Sequence, residues 1–390
     1  MIKRHLSEKI KSFATQFPIV AVLGPRQSGK TTLVRNSFPD LDYLNVEEPD
    51  TRLFAESDPR AFLANHPRGL IIDEVQRVPQ LFSYLQSFVD QNILRKPVIL
   101  TGSQHFLLHE KISQTLAGRV ALFTLLPFST GELSAAGTDT SDFNTFLFKG
   151  FYPPLYDRNL SPVDWMPGYI QTYVERDVRF LKNITDLSSF NLFLKMCAGR
   201  IGQLLNLSAL ANELGVALNT IKAWISVLEA SFIIFRLQPH YRNFNKRLVK
   251  MPKLYFYDTG LAAALLGITD VRQLHIHWQK GALFENLVII ELIKLRLNKG
   301  LRPEFYFWRD KLGREVDCVF EKDQHLIAVE IKSGMSVTNN FWANLRYWQK
   351  LTGEPGQNCF LFYGGDQSQN RSEGRLLPWN CVHELDDQLD

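Results

Sequence analysis

The chain lacks any segment approaching the roughly 18 uninterrupted apolar residues that a membrane span needs, so no membrane role is expected. Cysteine is scarce. Cys197, Cys318, Cys359 and Cys381 are scattered through 390 residues without a C-x-x-C pair, which argues against a disulfide frame or a zinc site and for a reducing cytoplasm. Net charge is also small: 44 basic against 40 acidic residues leave +4, so overall composition says little about nucleic acid and the distribution of charge must decide. Met1 to Phe13 carries Lys3, Arg4, Lys9 and Lys11, but no apolar core follows as in a secretory signal. Leu6, Ile10 and Phe13 predict an amphipathic first helix instead. What is present is apolar material, 45% of the residues, enough for two or three packed domains.

Gly24-Pro25-Arg26-Gln27-Ser28-Gly29-Lys30-Thr31 fits the phosphate-loop pattern G-x-x-x-x-G-K-[ST]. The apolar run Ile19 to Leu23 precedes it as a buried parallel strand would, and Thr32 to Arg35 opens a helix. Glycines let successive backbone N–H groups curl around phosphate oxygens, and the helix N-terminus adds partial positive charge. Lys30 is expected to reach the β- and γ-phosphates, and the Thr31 hydroxyl to ligate Mg2+. A second strand, Gly69 to Ile72, ends in Asp73 and Glu74. Asp73 would complete the Mg2+ shell and Glu74 would orient the attacking water. A third, Pro97 to Thr101, ends in Gly102-Ser103-Gln104, where Ser103 is either a γ-phosphate sensor or a strand cap. Leu41–Val46 and Val120–Leu125 complete a five-stranded parallel sheet with helices on both faces. Arg119 is a candidate arginine finger supplied across a homo-oligomer contact; the plain alternative pairs it with a local carboxylate.

Gly-Pro-Arg-Gln-Ser-Gly-Lys-Thr at 24–31, Ile-Asp-Glu-Val-Gln-Arg-Val-Pro at 72–79 and Leu-Thr-Gly-Ser-Gln at 100–104 resemble the AAA-type ATPases of bacteria and archaea. Tyr173 to Val178, Pro252 to Leu261 and Gly281 to Asn286 extend the resemblance to the group with a characteristic C-terminal domain of poorly defined function. The resemblance implies ATP as the nucleotide.

In the middle, Leu207–Val216 and Asn219–Leu228 read as two helices turned at Gly215, with Ile221, Trp224, Ile225 and Leu228 inward and Asn219, Lys222 and Ser226 outward. Arg236 to Lys253 then holds Arg236, Arg242, Lys246, Arg247, Lys250 and Lys253 with no acid, interleaved by Tyr241 and Phe244. This suits the wing of a winged helix lying on a DNA backbone; the alternative is a module that only bridges domains.

Farther on, Gly313 to Phe320 and Leu326 to Lys332 read as a hairpin turning at Lys322–His325. Asp317 then faces Glu330, with Lys332 on the same face, in the arrangement of PD-(D/E)xK nucleases. Asp317 and Glu330 would hold Mg2+ and Lys332 would steady a water. Glu285, on a helical face with Ile289 and Leu292, is a third candidate ligand that needs Lys332 or a metal opposite it. The plain alternative is a cross-face ion pair. The acidic stretch from Glu384 to Asp390 is expected to be a solvated tail.

The expected architecture is α/β: an AAA-like P-loop ATPase domain over 1–135, a linker and helical segment over 136–190, a winged-helix-like module over 191–265, and a restriction-endonuclease-like α/β domain over 266–390. Such a chain would hydrolyse ATP with Mg2+ and act on DNA. The rivals are a nucleotide-dependent switch for a protein partner, with the C-terminal acids merely structural, and a DNA-binding regulator assembled by ATP.

Overall fold

In the computed structural model, residues 1, 67, 92, 94, 95, 104–114, 178–185, 241–248 and 390 lie outside the described part of the chain. The strand before the phosphate loop is Ile19–Leu23 (β1), buried along its whole length because a parallel strand is covered on both faces. It lies between Val98–Gly102 (β4) and Val120–Thr124 (β5), with Ile19 level with both Val98 and Val120. Asp42–Asn45 (β2) and Leu70–Asp73 (β3) complete a parallel sheet of order β2-β3-β4-β1-β5. All five expected strands are present. The expected amphipathic helix is Leu6–Ala14, which buries Leu6 and Ile10 against Val20, Val22, Leu33 and Ile99. This sheet and its helices form one compact unit, residues 1–128 with the short pieces 230–232 and 297–301.

The remainder is a second unit built on an eight-stranded mixed sheet. Its strands are Ile234–Pro239 (β6), Lys253–Phe256 (β7), Tyr306–Arg309 (β8), Glu315–Lys322 (β9), His325–Lys332 (β10), Cys359–Tyr363 (β11), Gln369–Arg371 (β12) and Gly374–Pro378 (β13). They run in the order β12-β13-β11-β10-β9-β8-β6-β7. The β9–β10 hairpin turns through Asp323 and Gln324, at φ 49° and 70°, the paired positive angles of a tight two-residue loop. Trp308, Trp342, Trp348 and Leu361 fill the core around it.

The helices Leu207–Leu214 and Leu218–Ala230 are as expected, with Gly215 at φ 66° ending the first. Ile221, Trp224, Ile225 and Leu228 are buried, and Asn219, Lys222 and Ser226 are exposed. The strands that follow do not stand apart as a wing. β6 pairs with β7 and, through Gln238 and Pro239, with β8, so the two strands extend the C-terminal sheet. Apart from 230–232 and 297–301, which group with the first unit, residues 129–390 make up this second unit. The basic stretch also differs. Arg236 is bound to Glu229 at 2.7 Å, Lys253 is buried, and Lys250 is exposed; Tyr241, Arg242, Phe244, Lys246 and Arg247 lie outside the described residues. Nor is the C-terminal stretch a free acidic tail, since Glu384 pairs with Arg375 and Leu385 is buried. Among the described residues no helix is long and apolar enough to cross a membrane.

Candidate nucleotide site and a second acidic centre

The loop after β1 is made of backbone that ordinary residues avoid. Gly24, Gln27 and Gly29 all have positive φ (157°, 64° and 90°), and strain at the non-glycine Gln27 marks a place where surrounding structure dictates conformation. A Cβ on Gly24 would stand 2.0 Å from the Leu125 carbonyl oxygen, so only glycine fits. Gly29 feeds directly into the helix Lys30–Ser37. Lys30 is buried and donates to the carbonyls of Gly24 (2.9 Å) and Pro25 (2.7 Å), neutral acceptors that a phosphate oxygen outcompetes. Burial pushes its ammonium down to about 8, against the pull of Glu74 and Asp73. Ser28 Oγ is buried with no hydrogen-bond partner among the described residues.

At the carboxyl end of β3, Thr31 donates to Asp73 Oδ2 at 2.7 Å, as does the Tyr43 hydroxyl, while Thr101 donates to the other carboxylate oxygen. Glu74 sits at φ 58° and ψ 42°, off the strand, and its carboxylate accepts from Ser103 Oγ at 2.8 Å and from Gln76. Loop glycines, a lysine, a hydroxyl and two carboxylates thus meet at the carboxyl edge of the sheet, where open α/β sheets take ligands. The donor set fits the implied nucleotide and metal. Thr31 and Asp73 offer hard oxygens of the kind Mg2+ uses, and the buried Ser28 hydroxyl of the loop has no partner among the described residues.

The remaining expected residues are placed less centrally. Arg26 pairs with Glu47 at 3.1 Å, and Thr32 lines a cavity of about 420 Å³ with Thr31, Arg35 and Tyr43. Arg119 donates to Asp90 through two hydrogen bonds of 2.6 and 3.0 Å, a pairing with a local carboxylate. Gln104 lies outside the described residues. Two participants were missed. Tyr43 is one. The other is Arg4, which is buried, lies over Phe128, and donates to the carbonyls of Ser28 (2.7 Å) and Leu126 (2.6 Å), bracing the loop from behind.

The second centre lies on β9 and β10. The register that sets Val329 opposite Cys318 brings Asp317 level with Glu330, as expected from the hairpin. Lys332 lies 2.5 Å from Glu330 and 3.8 Å from Asp317, and Asn344 donates to Glu330 at 2.9 Å. Burial, with Asp317 beside it, pushes Glu330 up to about 8 against the pull of Lys332. Burial alone would lower Lys332, but Asp317 and Glu330 outweigh it and hold the ammonium above its ordinary value.

Glu285 behaves differently from expectation. Its partners are Lys253 at 2.8 Å and the Tyr255 hydroxyl at 2.5 Å, both on β7, rather than Lys332. Lys253 also contacts Glu315, whose other oxygen accepts from Arg309 at 2.9 Å. Glu285, Glu315 and Asp317 bring one oxygen each within 4.8 Å of one another, so the three-acid group contains Glu315 where Glu330 was expected. Glu315 was legible, since it lies two residues before Asp317 and shares its strand face. The Lys253 ammonium already lies against two of these carboxylates, Glu285 and Glu315.

An AAA domain model matches residues 16–134, and two domains of unknown function match residues 140–272 (DUF8612) and 280–382 (DUF4143). The uncharacterized proteins Rv2008c of Mycobacterium tuberculosis and Mb2031c of Mycobacterium bovis are each 31% identical over 337 residues, 85% of this chain and 74% of theirs. Among solved structures, the Walker-type ATPase PABY2304 of Pyrococcus abyssi matches 68% of this chain and 96% of its own, at 15% identity and a TM-score of 0.48.

Proposed function

This chain belongs to the family of the two mycobacterial proteins and carries an AAA-type P-loop ATPase domain, and on that premise we propose that it is a Mg2+-dependent ATP hydrolase whose turnover acts on DNA. The observation that carries the reading is the meeting of Lys30, Thr31, Asp73 and Glu74 at one sheet edge. Backbone N–H groups of the loop and the Lys30 ammonium bind the phosphates. Thr31 and Asp73 would hold Mg2+, which when bound would supply neutralisation of charge on the phosphoryl group. Glu74, steadied by Ser103 and Gln76, orients the water and polarises it for attack. Contact with DNA falls to Lys222 and Lys250, which are exposed, and to Arg242, Lys246 and Arg247 between β6 and β7.

Glu74→Gln is expected to retain ATP and lose about 10²- to 10⁴-fold in turnover. Loss of nucleotide binding, or unchanged turnover, would overturn the ATPase assignment. Added DNA is expected to raise wild-type turnover in a salt-sensitive way; a rate indifferent to duplex, single-stranded and branched DNA would remove the DNA clause.

One observation favours a second reading for the C-terminal unit. The Lys253 ion pairs among its acids suit a nuclease-like frame that does not cut, in which nucleotide state is passed to a protein partner.

A further inference from the structure

We infer that Lys253 is the resident cation of the C-terminal acidic centre and excludes a divalent ion from it. The inference rests on the second reading above and supplies its physical cause. Glu285 comes from the helix Lys280–Asn298 and Glu315 from β9, and the Lys253 Nζ reaches both from β7. The side chain is 2% exposed, and its ammonium lies 5.6 Å from the centre of the Phe307 ring. It cannot swing into water without giving up both carboxylates.

Charge balance points the same way. Four acids, Glu285, Glu315, Asp317 and Glu330, face Lys253 and Lys332, with Arg309 on the outer oxygen of Glu315. Four carboxylates against two lysines and one arginine leave a net charge of only −1. A divalent ion entering it would meet an ammonium at contact distance in a buried setting, where like charges repel strongly. One buried oxygen, Glu330 Oε2, has no partner among the described residues, so the frame retains ligand capacity that its lysines leave unused.

Lys253→Met keeps the length of the side chain and removes the charge. Mn2+ alone, without nucleotide, titrated calorimetrically into the 390-residue chain is the probe. The variant is expected to gain one Mn2+ site at least about tenfold tighter than any wild-type binding, abolished again in Lys253→Met/Glu315→Gln. Mn2+ should also raise the melting temperature of Lys253→Met and leave that of wild type unchanged. A folded Lys253→Met that gains no site overturns the inference. Should that variant fail to fold, wild type and Glu315→Gln decide: identical Mn2+ isotherms support the inference, and wild-type binding that Glu315→Gln abolishes overturns it. ATP turnover of wild type, followed separately, tests the ATPase reading and leaves the Mn2+ result standing either way.

Discussion

Lys30 and Lys253 are both buried lysines beside carboxylates near strand ends, yet their surroundings push them in opposite directions. Lys30 bonds to two main-chain carbonyls, and burial takes its ammonium down to about 8. Lys253 is also penalised by burial, but Glu285, Glu315 and Asp317 outweigh that and hold it above the ordinary lysine value. A lysine on neutral acceptors is ready for an anion. One locked between carboxylates is already neutralised and serves as structure. The partner atom, more than the residue type, decides whether a cation is available to a ligand.

The largest expected effect breaks the locked side. Lys253→Met leaves Glu285 and Glu315 buried without their counter-ion, and breaking a buried pair from one side costs about 3–5 kcal/mol. Denaturant unfolding of the second unit's transition is the measurement. The matching Lys332→Met should cost less, because Lys332 is a third exposed and Glu330, already pushed up to about 8, takes a proton in its place. Equal losses at the two positions would remove the distinction between them.

These partners also divide what the sequence revealed from what it hid. The phosphate loop, Asp73 and Glu74 are legible because local spacing and strand ends dictate them. The facing of Asp317 and Glu330 follows from a two-residue turn, and a hairpin's register is local information. Lys253 and Tyr255 were out of reach for a different reason. They arrive on a strand 32 and 30 residues before Glu285, through the pairing of β6 with β8, and no short-range pattern encodes that sheet order. Basic residues between Arg236 and Lys253 looked alike in sequence; burial then assigned Lys253 to the core and Arg236 to Glu229. Arg4 was hidden similarly, since its acceptors lie 24 and 122 residues away.

A middle-sized effect sharpens the ready side. Below about pH 8, Lys30 is protonated in both folded and unfolded chains; between about 8 and its ordinary value of 10.5 the unfolded chain binds the proton and the folded one does not. Stability should therefore rise with pH across that window as far as this group is concerned. ATP binding should move the other way. The site needs the ammonium, so above about pH 8 binding must take up a proton and the affinity should fall by up to about tenfold per pH unit. Calorimetry in two buffers of different ionisation enthalpy counts that proton. Flat affinity to pH 10 with no uptake would mean that Lys30 is as basic in the empty loop as in water.

The smallest effect concerns Arg119, which carries the same contrast to the surface. Its bidentate partner Asp90 is a carboxylate, so by the rule drawn from Lys253 it should be structural; but the two side chains are 31% and 45% exposed, and solvent weakens their hold. Arg119→Ala and Asp90→Ala are each expected to cost under about 1 kcal/mol, with a coupling in a double-mutant cycle of about 0.2–1 kcal/mol and unchanged ATP turnover. A finger would behave otherwise. Its loss would lower turnover by about 10³-fold or more, while Asp90→Ala would leave turnover intact or raise it by releasing the guanidinium, and the wild-type rate per chain would climb with protein concentration. The Asp90 variant is therefore the more informative of the two, because it separates a cation consumed by its partner from one merely stored there.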